Sequence, residues 1–139
     1  MVEFKPVVEF KPVVEAKPIS EKMILSQGPN IYITSPHVDN YPLDDGYSFF
    51  MIKSENRITA TITGFTGGED GKIIYIVNDT DYDQIFMSES RNSLNDHRIT
   101  LKTPMTTVKP NETISFIYVK NMTVHGISEQ NRWLLLSKV

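Results

Sequence analysis

The chain has no cysteine at all, which excludes disulfides, thiol catalysis and cysteine-based zinc sites. It has no cluster of basic residues: lysines and arginines are scattered and the net charge is −3. Nucleic acid is therefore not expected as the main ligand. Its longest apolar runs are only about six residues, too short to span a bilayer, so no membrane partner is expected. No charged segment followed by an apolar stretch opens the chain, so no secretory signal is expected and synthesis in a cytosol is. No window sustains a 3.6-residue hydrophobic period for three turns. Helical architectures are not expected.

What the chain does have is a hexapeptide written three times at its start. Val2-Glu3-Phe4-Lys5-Pro6-Val7 recurs from Val8 and again, with Ala16 for phenylalanine, from Val14. A proline every sixth residue excludes a helix and favours an extended chain. In that form Val2, Phe4, Pro6, Val8, Phe10, Pro12 and Val14 point one way, opposite a side rich in glutamate and lysine. Three hexads cannot build a core of their own, so this face is the candidate partner-binding surface. Proline-rich segments also serve as linkers or SH3-type ligands. Here no P-x-x-P occurs inside the arm, and linkers rarely carry so much valine and phenylalanine. About eighteen extended residues reach roughly 60 Å, the scale of a neighbouring subunit. The arm reads as a strap, ordered in an assembly.

The rest divides into short strand candidates punctuated by Gly, Pro, Asn and Asp. They are 31–34, 49–52, 57–63, 72–77, 84–88, 106–108, 113–119 and 132–137, with Ile99 and Leu101 as a further edge. The run 72–77 lacks polar alternation and should be buried on both faces. Spacing of this kind predicts an all-β fold, an antiparallel β-sandwich of jelly-roll type. The domains are then an arm over residues 1–22 and a β-sandwich over 23–139. Ile74, Ile76, Phe116, Tyr118 and Trp133 are expected in the core or at a subunit interface.

Chemistry-bearing patterns are weak. His37, His97 and His125 lie in three separate loop-like contexts, without the spacing that puts two ligands on one element. Asp79, Asp81 and Asp83 alternate as in a calcium loop, but neither the glycine nor the downstream glutamate completes it. The glycines from 64 to 71 are not followed by the Lys-Ser/Thr of a phosphate loop, and are expected to take positive φ in a β-connection. No serine sits in a nucleophile elbow, and the Asn-x-Thr triplets at 78, 111 and 121 count as coincidence without a signal peptide. No metal, cofactor or catalytic residue is expected.

The stretch Ile62-Thr63-Gly64-Phe65-Thr66-Gly67-Gly68-Glu69-Asp70-Gly71, with the strand 72–77 and Asn78 after it, resembles small β-sandwich domains of tailed-phage and other viral structural proteins. The likeness continues through Ser88-Glu89-Ser90, 95–99, 108–112 and 114–118 to Arg132-Trp133, and so covers roughly 57–137. Residues 1–30 have no counterpart in it. The resemblance implies a virion protein made in the host cytoplasm: a capsid decoration protein, or a head or tail fibre domain. With the strap, it points to decoration of the head surface, with the major capsid protein as partner and a homotrimer as the assembly. The alternative is a short fibre or adhesin that binds host glycans, which needs a polar, aromatic groove among the loops 35–46 and 89–97. A sugar-active enzyme would need paired carboxylates at catalytic separation, and none is marked.

Overall fold

A computed structural model describes residues 24–139. The arm, its contact row Val2, Phe4, Pro6, Val8, Phe10, Pro12 and Val14, and the boundary at 22/23 lie outside the described residues. The described chain is all-β. Its strands are β1 (Ile31–Tyr32), β2 (His37–Val38), β3 (Phe49–Lys53), β4 (Thr61–Ile62), β5 (Ile73–Asn78) and β6 (Gln84–Met87), then β7 (Ile99–Thr100), β8 (Met105–Val108), β9 (Thr113–Val124) and β10 (Ile127–Lys138). A single 3₁₀ turn, Asn95–His97, precedes β7.

The first six strands alternate between two sheets. One sheet has the order β1-β3-β5-β9-β10-β7, the other β2-β4-β6-β8. A strand of the opposite sheet separates each strand from its neighbour, so the chain returns running the same way and the neighbours pair in parallel. Only β9, β10 and β8 add antiparallel ladders, and β7 lies parallel to β10. The purely antiparallel expectation is corrected: both sheets are mixed. A jelly-roll is built from antiparallel Greek-key neighbours, and the parallel winding of β1 to β6 departs from that order.

The two sheets meet across one hydrophobic core. Alternation in β3, β5 and β9 turns Phe50, Ile52, Ile74, Ile76, Ile114 and Phe116 inward from the larger sheet. Ile62, Phe86 and Val108 face them from the smaller one. Phe86 and Phe116 bridge the sheets with ring centroids 5.7 Å apart. Phe65 stands edge-on to Trp133 at 6.2 Å, and Tyr118 meets Trp133 at 5.0 Å. The Trp133 indole N–H donates to the Phe65 carbonyl at 3.0 Å, which satisfies the ring's one polar atom inside the core. Ile74, Ile76, Phe116, Tyr118 and Trp133 are all buried within the single chain.

Several segments are held by side chains rather than by ladders. Residues 58–60 alternate like a strand, yet β4 begins only at Thr61. The reason is Gln84, whose carbonyl accepts the Ala60 N–H at 2.8 Å while its amide donates to the Ile58 carbonyl at 3.0 Å. One side chain replaces two backbone partners. The glycine connection divides its labour. Gly67 and Gly71 take positive φ, whereas at Gly68 a Cβ would lie 2.3 Å from the Tyr118 ring, so that glycine is there for close packing. The expectation of positive φ is met at two of these four glycines.

Strands β9 and β10 run past the expected strands, through the polar stretch 120–131, as one long hairpin closed by His125-Gly126. Both turn residues have positive φ, the signature of a type I′ turn, whose twist matches that of the flanking strands. Register shifts flank Gln130, where Glu129 also takes positive φ.

Candidate functional site

The strands of the larger sheet carry apolar residues on both faces, and the outward face is only partly covered among the described residues. Cross-strand register sorts it into rows. Leu134, Ile117 and Ile73 form the first, Ser115, Tyr75 and Phe49 the second, and Thr113, Val77 and Met51 the third. Ile73 is 38% exposed; Phe49, Met51, Tyr75, Val77, Ile117 and Leu134 are half-buried. The expectation that residues 72–77 are buried on both faces is therefore corrected. The inward side is sealed, and the outward side is half open. Within this face Ser115 is itself buried, and its hydroxyl lies 2.7 Å from that of Ser137, so this polar group is satisfied.

The residues that lead out of the arm join this sheet at its edge. Gln27 bridges Phe49 in parallel, Gly28 N–H donates to the Phe49 carbonyl at 2.8 Å, and the Ser26 carbonyl accepts from Ser48 and Phe49 at 3.0 and 3.1 Å. Residues 26–28 thus add a partial strand beside β3, and Ile24, just before them, is 85% exposed.

The loops 35–46 and 89–97 do come together, but as a closed seam. The Asn40 side-chain carbonyl accepts the Leu94 N–H at 2.7 Å and lies 2.8 Å from His97 Nδ1, while the Asn40 N–H donates to the Ser93 hydroxyl at 2.9 Å. Thr63 joins the same seam through Ser93 at 2.7 Å. These polar groups satisfy one another where the two loops meet, while Tyr32, His37 and Tyr41 line a separate pocket of about 170 Å³ at the first loop. Among the described residues no three His, Asp or Glu side chains gather as a metal site, and no helix is long and apolar enough to cross a membrane.

An ion pair that composition did not reveal braces the seam from behind. Arg132, 3% exposed, donates its Nε–H to both carboxylate oxygens of Glu89 at 3.0 and 2.9 Å. Its other nitrogens reach the Asn95 carbonyl at 2.8 Å and the Asn95 side chain at 3.1 Å. Burial pushes the Glu89 carboxyl up, but hydrogen bonds from Arg132 and Thr100 and the nearby positive charge outweigh it and hold it below the usual carboxylate range. Burial, with Asp96 nearby, raises the Tyr118 phenol, which donates to the Asp96 carbonyl at 2.7 Å. The one sequence signal for this brace is a charge, Arg132, set directly against the tryptophan of the last apolar strand.

No family model, curated protein or solved structure matches this chain. The fold and its surface define a class in physical terms: a two-sheet β domain with a half-covered apolar sheet face among the described residues.

Proposed function

We propose that the chain is a virion structural protein, a decoration protein on the head of a tailed phage, with no catalytic activity of its own. In this reading the two-sheet domain is the sandwich-type head of a homotrimer, and the arm of residues 1–22 straps it to the major capsid protein. The observation that carries the reading is the outward face of the larger sheet, with Ile73, Ile117 and Leu134 in one apolar row. Contiguous apolar surface of this kind marks a protein contact, and closed cyclic symmetry is the usual way to cover it. The hexads support the attachment role, because their apolar row suits addition to an exposed strand edge. Three arms on one trimer multiply a weak single contact by avidity.

Mass spectrometry of purified phage particles whose genome encodes this chain tests the placement directly. The chain is expected in stoichiometric amounts among the head proteins. Its absence from the particle would refute the virion assignment.

A further inference from the structure

At the hairpin end of the larger sheet, behind the seam, lies a cleft of about 380 Å³. Three guanidiniums, Arg91, Arg98 and Arg132, border it with one carboxylate, Glu89. The cleft is locally basic in a chain whose net charge is −3. We propose that it binds a small ligand carrying a single carboxylate, about the size of one sugar ring. The proposal goes beyond the decoration role and does not depend on it.

The charges in the cleft are not equivalent. Arg132 is committed to Glu89 and Asn95. Arg98 spends its Nε–H on the Ser93 carbonyl at 3.1 Å and Nη1 on the Asn95 side chain at 3.3 Å, which leaves Nη2 without a partner among the described residues. Arg91 is exposed and makes no hydrogen bond or ion pair among them. Two guanidinium groups thus offer uncommitted N–H donors to the same space, the fork geometry that takes a carboxylate in paired hydrogen bonds. The inner side of the site, Arg98 and Arg132, is braced without a ligand. The Asn95 amide donates to Gln130 at 2.9 Å, and its carbonyl is shared by Arg98 and Arg132. Glu89 and His125, both on the cleft wall, hold left-handed backbone with φ of 53° and 50°. At His125 this is the first position of the type I′ hairpin turn, and Glu89 lies in the turn after β6, so both belong to the turns that shape the wall. Val124 and Ile127, the latter 61% exposed, add an apolar wall against which a ring can rest. Glu89 is already paired with Arg132, so the free donors of Arg91 and Arg98 set the affinity, and phosphate is the competing anion that the test includes.

The test uses the full chain, labelled for amide NMR and titrated at constant ionic strength with galacturonate, galactose and inorganic phosphate. Galacturonate is expected to shift the amides of 89–98 and 124–132 and to bind at least about tenfold more tightly than galactose, the value of a charge-assisted hydrogen-bond pair. Arg91→Ala is expected to weaken galacturonate by about tenfold while its spectrum stays dispersed, since Arg91 braces nothing in the fold. Shifts from acetate at the same amides also support carboxylate recognition. Galactose binding as well as galacturonate, phosphate binding more tightly, no shift at these amides, or an unchanged affinity in Arg91→Ala each overturns the proposal.

Discussion

Arg132 and Glu89 show how a charge pair becomes structural once water is removed from it. An arginine that is 3% exposed is tolerable only because its N–H groups have partners, and removing one partner strands the other. Glu89→Ala is therefore expected to cost about 3–5 kcal/mol in chemical denaturation, far more than loss of an exposed pair such as Lys138 with Glu112. The same pair sets a pH dependence. Its folded-state carboxyl lies below the ordinary value of 4.5, so the contribution is complete above that value and is lost as pH falls through the lower, folded one. Stability curves of the wild type and of Glu89→Gln should stay offset by a constant amount above pH 4.5 and converge as pH falls through the lower, folded value; an offset that persists unchanged into acid would show that the pair's ionisation is not linked to folding. Sequence alone pointed to Trp133 and Ile76 as covered positions, because large apolar residues in strong strands have few other places to go. Trp133→Ala or Ile76→Ala should cost about 2–5 kcal/mol, read from the shift in denaturation midpoint. Gln84 and Asn95 were illegible for the opposite reason. Their value lies in which distant backbone and side-chain groups they satisfy, and no local pattern encodes that.

At the scale of elements, most strand candidates coincide with strands because period-two alternation and turn residues are local signals. The extension of β9 and β10 through 120–131 was not visible. Its residues are mostly polar, with Met122, Val124 and Ile127 too sparse to read as a strand, and its pairing comes from a two-residue turn and cross-strand register. At that turn a Cβ on Gly126 meets nothing within 4 Å, so Gly126→Ala is expected to cost only the conformational penalty of positive φ, about 1–2 kcal/mol. Strand β5 carries the opposite lesson. Its unbroken apolar run signalled two covered faces, and one of them remains half open among the described residues. If sister subunits cover it, a charge placed in the first apolar row should act on assembly before it acts on folding. Ile117→Lys is expected to convert a trimer into a monomer by light scattering while the near-ultraviolet signal of Trp133 persists. A trimer that tolerates lysine there would remove the face from the interface.

At the scale of the whole molecule, the class of fold was legible and the winding was not. Nothing in the composition of β1 to β6 distinguishes a chain that folds back beside itself from one that alternates between sheets, because both bury the same alternate residues. The choice lies in the connections, and Gly28, Gly64 and Gly68 permit backbone approaches that a side chain would block. Among the described residues the core is built from Ile31 onward. If the chain decorates heads as proposed, removing residues 1–19 is expected to leave the thermal transition of the domain nearly unchanged while decoration of particles falls steeply. Phe4→Ala with Phe10→Ala should reproduce that loss through faster dissociation, because aromatic anchors dominate contacts of this kind and affinity changes act mostly on the off-rate. Light scattering on the full chain and on the truncated one separates the two contacts. A mass near three times the 15.9 kDa chain in both places the subunit interface on the sheet face and leaves the arm for the capsid. A trimer that dissociates on truncation makes the arm the subunit clamp instead. A truncated chain that decorates particles at full occupancy removes the arm from attachment altogether.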